Sequence, residues 1–295
     1  MDVQAALCRE FPMDAKLQRR IQRYGWDKAA ATYEQCWREQ LRPAQDKLLQ
    51  MVQPRPGDSV LDVACGTGLV TLRAASLVGP GGRVVGTDLS DRMVEAVQAA
   101  ATAADVSTVT ATRMDAENLS CEDECFDVAL CSLGLMYMPE PERCVRELNR
   151  ILRTGGRAGA AVWGQRGRCG WADIFPIVDA RVKSEVCPLF FRLGSGDALA
   201  NAFSNAGFVD VTSSRLETSL WFASGEDACL ACFVGGPVAL AYDRFDDATR
   251  RDVHAEYLAS IEPYRHGASY AIPGEFVVVA GTKRASTPSG SSSTH

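Results

Sequence analysis

The chain has 295 residues, 46% apolar and 23% charged, with 13 prolines, which is ordinary globular composition and excludes a disordered, collagen-like or disulfide-stapled class. Its 31 basic and 37 acidic residues leave a net charge of −6, so there is no electrostatic footprint for a phosphate backbone or an anionic membrane, and neither nucleic acid nor a membrane is an expected partner. A chain of this length buries roughly three quarters of the surface its unfolded form exposes, so no metal is needed as a staple.

Residues 1–53 place Leu17, Ile21, Tyr24, Tyr33, Trp37 and Leu41 at helical spacing, which predicts a helical N-terminal cap of two helices punctuated by Gly25. The opening MDVQAALCRE lacks the basic start and apolar run of a secretory signal. The longest uncharged stretch, Ala228 to Tyr242, is interrupted by Gly235, Gly236 and Pro237 and is too short to span a bilayer. Eleven cysteines are scattered along the chain without paired zinc-site spacing. They read as reduced thiols, with Cys229 and Cys232 as small buried apolar residues, and a cytoplasmic location is the expectation.

After Pro54, Pro56 and Gly57 the text changes to short apolar strands alternating with amphipathic helices, the signature of a parallel sheet. Strands are predicted at 59–64, 83–87, 108–113, 126–131, 157–163, 209–216 and 276–282. Ser90 is placed to cap a helix over 91–104, and Pro141 opens another that Gly155 and Gly156 stop. The fold class is therefore α/β: a Rossmann-like, doubly wound, seven-stranded, mostly parallel sheet with a helical N-terminal cap and insertions. Residues 54–164 form the expected cofactor-binding core, 165–284 the rest of the domain with substrate-side insertions, and the Ser/Thr/Gly/Pro-rich 285–295 a disordered tail.

The segment that carries chemistry is Val60-Leu-Asp-Val-Ala-Cys-Gly-Thr-Gly68, a strand running into a glycine turn and then a helix. Gly66 and Gly68 let backbone approach a ligand, and the helix start offers free N–H groups. Val84-Val-Gly-Thr-Asp88 ends the next strand in a carboxylate that can accept hydrogen bonds from both hydroxyls of a ribose. Together these specify an adenosine cofactor. A dinucleotide turn calls for a small third residue where this chain has Thr71, and Asp62 would repel a pyrophosphate while suiting a cationic amino-acid moiety. S-adenosylmethionine is favoured.

These residues resemble the class I S-adenosylmethionine-dependent methyltransferases, specifically the branch of ubiquinone/menaquinone-biosynthesis methyltransferases and their small-molecule relatives. The loop from Asp62 through Ala64 and Gly66 to Gly68 is similar to the family's cofactor loop. Thr87-Asp-Leu-Ser-Asp-Arg-Met93 implies Asp88 on the ribose with Leu89 and Met93 against adenine, and Met114-Asp-Ala116 implies Asp115 on the adenine amino group and the Ala116 N–H on the ring. The strand ending in Cys131 and Ser132 resembles the one that ends beside the reactive methyl, where both residues would act through backbone groups. Met136 and Tyr137 stand where relatives often carry a His pair, so a catalytic role for that pair does not transfer.

Methyl transfer from a sulfonium depends mainly on alignment, so no dedicated catalytic residue is obligatory. If a base or a closing residue is used, Tyr24, Tyr33 and His266 are the candidates; His254 reads as a solvent-facing helix residue. The expected function is methyl transfer to a small-molecule acceptor through O, N, C or S, by a monomer or homodimer. The alternatives are thiol or arsenite methylation, which needs cysteines converging above Cys131, a non-catalytic S-adenosylmethionine-binding protein, and an NAD-dependent oxidoreductase, against which Thr71 stands.

Overall fold

The computed structural model describes residues 14–182 and 189–284. The expected tail at 285–295 lies outside these, as do Cys8 and Cys187.

Helix α1 runs unbroken from Ala15 to Val52. The Asp14 side chain caps it by accepting the N–H groups of Lys16 and Leu17. Gly25 therefore does not separate two helices. It faces Leu240, whose Cβ would lie 3.8 Å from a side chain added there, an ordinary packing distance. Pro43 sits inside α1 on its exposed face, where the missing N–H leaves the Glu39 carbonyl to water.

Strand β1 (Ser59–Val63) is followed by α2 (Thr71–Val78), β2 (Arg83–Asp88), α3 (Asp91–Ala103), β3 (Val109–Arg113), β4 (Phe126–Ser132), α4 (Pro141–Ile151) and β5 (Leu152–Trp163). Ser90 does cap α3, accepting the Met93 N–H at 3.1 Å. Helix α4 ends at Ile151, where Leu152 turns extended; the double glycine lies inside the following strand segment and is not what stops the helix. The first insertion carries α5 (Ile174–Asp179) and is followed by α6 (Ala198–Asn205) and β6 (Phe208–Phe222). The second carries α7 (Gly225–Cys229), a π-turn, α8 (Ala239–Tyr242) and α9 (Asp247–Ile261), before β7 (Arg265–His266) and β8 (Ser269–Lys283).

The sheet order is β3-β2-β1-β4-β5-β8-β6, the seven strands expected, and the two-residue β7 pairs with β8 as an eighth. β1 to β5 run parallel, whereas β8 is antiparallel to both β5 and β6. Strands β6 and β8 are longer than predicted because they pair with each other as far as Phe222 opposite Tyr270, a long-range contact that alternation alone does not reveal. Chain order reverses beside β1, between β2 and β4. That switch point opens a crevice at the carboxyl ends of the strands, the usual ligand position in such sheets.

Candidate functional site

At the end of β1 the chain makes a tight turn. Ala64 takes a positive φ of 53°, which side-chain-bearing residues rarely adopt, followed by Gly66 at 56° and Gly68 at 92°. The Cys65 N–H donates to the Thr87 carbonyl at 3.0 Å, and the Gly68 N–H donates to the Cys65 carbonyl at 3.0 Å. The turn is thereby pinned to the end of β2. Asp88 completes the link, its carboxylate accepting the Gly66 N–H and the Ser90 N–H, each at 2.9 Å. Burial pushes Asp88 up to about 6, against the lowering effect of those N–H groups.

The crevice above this turn encloses about 730 Å³, part of it open to solvent. Gly66, Asp88, Leu89, Met93, Met114, Asp115 and Ala116 line one wall. Arg19, Gln22, Trp26 and Tyr33 of α1 line another. The sequence singled out Tyr33 but not the other three. Arg19, Gln22 and Trp26 read as one flank of an amphipathic helix, and nothing local says which flank covers the sheet edge. Arg19 straps α1 down: its Nε lies 2.6 Å from Glu117 and 3.2 Å from Asp115. Asp27 adds a second tie by accepting the Ser90 hydroxyl at 2.6 Å.

Asp62 lies deeper, 1% exposed, on the wall of an adjoining cavity of about 310 Å³ that also meets Gln45, Ala64, Cys65 and Ser132. The Thr71 hydroxyl donates to its Oδ2 at 2.6 Å, while Oδ1 has no hydrogen-bond partner. Burial pushes the carboxyl up to about 7, and the neighbouring Asp88 adds to the effect. Thr71 thus has a positive role in this chain, orienting Asp62. Ser132 lines both cavities, and its hydroxyl is also buried without a partner. Buried polar atoms without partners are uncommon in folded proteins. These two face a space where a ligand carrying an ammonium and a carboxylate would satisfy them.

A third, narrow recess is walled by Trp26, Tyr33, Trp37, Leu41, Leu133, Tyr137, Trp163, Trp171, Gly236 and Pro237. Its rings interlock edge-on, with Trp26 centred 5.0 Å from Tyr137 and 5.6 Å from Tyr33. Tyr33 and Leu133 line all three cavities. Leu133 has φ 61°, a second left-handed non-glycine residue at this site, and such strain concentrates where ligands are clamped. The Tyr33 phenol is pushed well above its ordinary range by burial and by the charge of Asp88, so it stays neutral.

Several sequence candidates fall elsewhere. Tyr24 is 48% exposed on the outer side of α1. His266 is exposed on β7 and stacks against Trp221. His254 is half-buried, not solvent-facing, and hydrogen-bonds the Tyr242 hydroxyl at 3.0 Å. Gly68 touches none of the three cavities; a Cβ there would meet Val97 of α3 at 3.2 Å, so it permits helix packing. Cys131 is fully buried beneath the site and lines none of them. Among the described residues only Cys65 brings a thiol to a cavity wall, and no cluster of metal-ligating side chains occurs. The convergence that thiol or arsenite methylation would need is thus absent from the described residues.

The switch-point crevice, the acid at the tip of β2 and the orphaned acid on β1 define an α/β protein that binds an adenosyl cofactor. Residues 60–156 match the family model described as "Methyltransferase domain". The nocamycin O-methyltransferase of Saccharothrix syringae is 32% identical over 219 residues, covering 68% of this chain and 77% of that one. The demethylmenaquinone methyltransferase of Listeria monocytogenes serotype 4a (strain HCC23) is 31% identical over 127 residues, 43% of this chain and 54% of its own. The fold also matches the phosphoethanolamine N-methyltransferase 2 of Haemonchus contortus, solved with S-adenosylhomocysteine, with a TM-score of 0.60 at 15% identity over 90% of this chain and 60% of that one. The chain belongs to the S-adenosylmethionine-dependent methyltransferase family, and S-adenosylmethionine is its cofactor.

Proposed function

We propose that the protein methylates a small-molecule acceptor presented from the aromatic side of the site, and that transfer takes place where the three cavities meet at Tyr33 and Leu133. The observation that carries this reading is that shared pair of wall residues. S-adenosylmethionine, when bound, supplies a methyl group on an already activated sulfur leaving group. The chain's own contribution is then alignment and exclusion of water, a contribution worth roughly 7–11 kcal/mol where geometry is well organised.

In this reading Asp88 accepts the ribose hydroxyls with the lone pairs that Gly66 and Ser90 leave free. Leu89 and Met93 pack on adenine, Asp115 takes its amino group and the Ala116 N–H its ring. The unpartnered oxygen of Asp62 takes the ammonium, directly or through water, and Ala64, Gly66 and Ser132 border the amino-acid end. Gly68 and Cys131 hold the turn and the strand from behind. Trp26, Tyr33 and Tyr137 close the site from solvent. Residues 54–164 act as the cofactor-binding core, with α1 and 165–284 supplying the acceptor side. All nine described cysteines are free thiols, which favours a reducing compartment such as the cytoplasm, and no described helix is long and apolar enough to cross a membrane.

Calorimetric titration with S-adenosylmethionine, S-adenosylhomocysteine and NADH tests this. The first two bind in the micromolar range and NADH does not. Asp88→Ala weakens both by tenfold or more, as expected for hydrogen bonds to a charged group. Unchanged affinity in a folded variant refutes the ribose assignment.

A further inference from the structure

Helix α1 meets the site at two places. Its first half lines the crevice through Arg19, Gln22, Trp26 and Tyr33, and about three turns further on Gln45 reaches the adjoining cavity that holds Asp62 and Ser132. Gln45 is out of keeping with its surroundings. It is 5% exposed on the face of α1 that buries Leu41, Ala44, Leu48 and Leu49, where an amide is costly unless it is hydrogen-bonded. Only one end of that amide has a partner: the Arg73 guanidinium, itself held by Asp46, donates to Oε1 at 3.5 Å. Arginine can only donate, so the contact fixes the amide oxygen toward α2 and leaves the NH2 group at the other end. Among the described residues Nε2 donates to nothing.

Ser132 lines the same cavity with a buried hydroxyl that has no partner, and the free Oδ1 of Asp62 stands on its wall. Of the other side chains there that can donate, the Cys65 thiol turns to the Gly66 carbonyl at 3.8 Å, and Tyr33 stands at the junction with the other cavities. Two neutral donors and one acid are the complement of a zwitterionic amino-acid end. The cavity is narrow, with room for such a terminal group and not for a whole ligand. Resting on the methyltransferase reading of this site, we propose that Gln45 makes the protein selective for a cofactor bearing an α-carboxylate: its Nε2 and the Ser132 hydroxyl donate to that carboxylate while Asp62 takes the ammonium. An amide suits the position because a lysine would compete for Asp62, and a glutamate would repel the carboxylate. Accepting from a cation at Oε1 also strengthens the Gln45 N–H groups as donors.

The test uses the whole chain and two probes, S-adenosylhomocysteine and its decarboxylated analogue S-(5′-deoxyadenosyl)-3-thiopropylamine, which keeps the ammonium and lacks the carboxylate. Calorimetry should find that the parent binds S-adenosylhomocysteine about tenfold or more tightly than the analogue. Gln45→Met, similar in length and without the N–H groups, should weaken S-adenosylhomocysteine by about tenfold and leave the analogue's affinity as in the parent, so that the preference collapses. Gln45→Glu keeps a polar group at the same length and should weaken S-adenosylhomocysteine further, again with the analogue spared. Ser132→Ala leaves α1 untouched and should lower the same preference. A disturbance of the fold alone weakens both probes alike. Equal losses for the two probes, a preference unaltered in any of the three variants, or a parent that binds both probes equally overturns the proposal. Binding of neither probe by the parent is a different result, because it removes the methyltransferase reading of the site itself.

Discussion

Asp62→Asn separates the folding cost of the orphaned acid from its use. In the parent, burial raises the carboxyl from its ordinary 3.8 to about 7. A group whose folded pKa is raised binds its proton more tightly in the folded state, so its contribution to stability is most favourable below about pH 4 and declines as pH rises toward 7. At about 1.4 kcal/mol per tenfold change in proton affinity, the ionised form costs the ligand-free fold on the order of 4 kcal/mol at pH 8. Asparagine cannot ionise and is spared that cost. It brings one of its own, because the amide replaces the unpartnered Oδ1 with an unpartnered donor, worth about 1–3 kcal/mol at every pH. The variant should therefore melt below the parent at pH 4 and gain on it by several degrees at pH 8, at about 2–4 °C per kcal/mol. Asp88 titrates in both proteins and largely cancels. Differential scanning fluorimetry at the two pH values reads the crossover, and calorimetry should find cofactor affinity lower by tenfold or more. In the parent, cofactor affinity should also fall as pH drops below 7, since an ammonium needs the ionised carboxylate. A melting difference that is the same at both pH values, or unchanged cofactor affinity, refutes the reasoning.

The remaining expectations concern the turn and the strap. Gly68→Ala forces a side chain into φ 92° and against Val97 at 3.2 Å; it should destabilise the fold by about 1–3 kcal/mol in urea denaturation, with S-adenosylhomocysteine affinity affected far less. Lost affinity at unchanged stability would restore Gly68 to the cofactor's contacts. Arg19→Ala removes the charged partner of buried Glu117 and leaves it only the Glu140 N–H, which loosens the N-terminal part of α1. Stopped-flow displacement of S-adenosylhomocysteine should show a dissociation rate about fivefold higher, the equivalent of about 1 kcal/mol, and an unchanged rate would show that the strap does not hold the cofactor in.

The sequence by itself determined the succession of strands β1 to β5 along the chain, the glycine turn and the acids at positions 62, 88 and 115. Each rests on a short-range requirement: a left-handed backbone at Gly66, a cap at Ser90, a carboxylate at the tip of a strand. Only the tertiary structure decided what lies above that edge. It made α1 one helix that runs through Gly25, and it chose the flank of α1 that delivers Arg19, Gln22, Trp26 and Tyr33 while leaving Tyr24 outside. It hid Cys131 under the sheet edge, left His266 at the surface, and gathered Trp163 and Trp171 with Trp37 into one chamber. Those outcomes depend on which faces dock and on pairings between distant segments such as β6 and β8, and the burial that selects them is a property of the assembled layers that no local stretch of residues encodes.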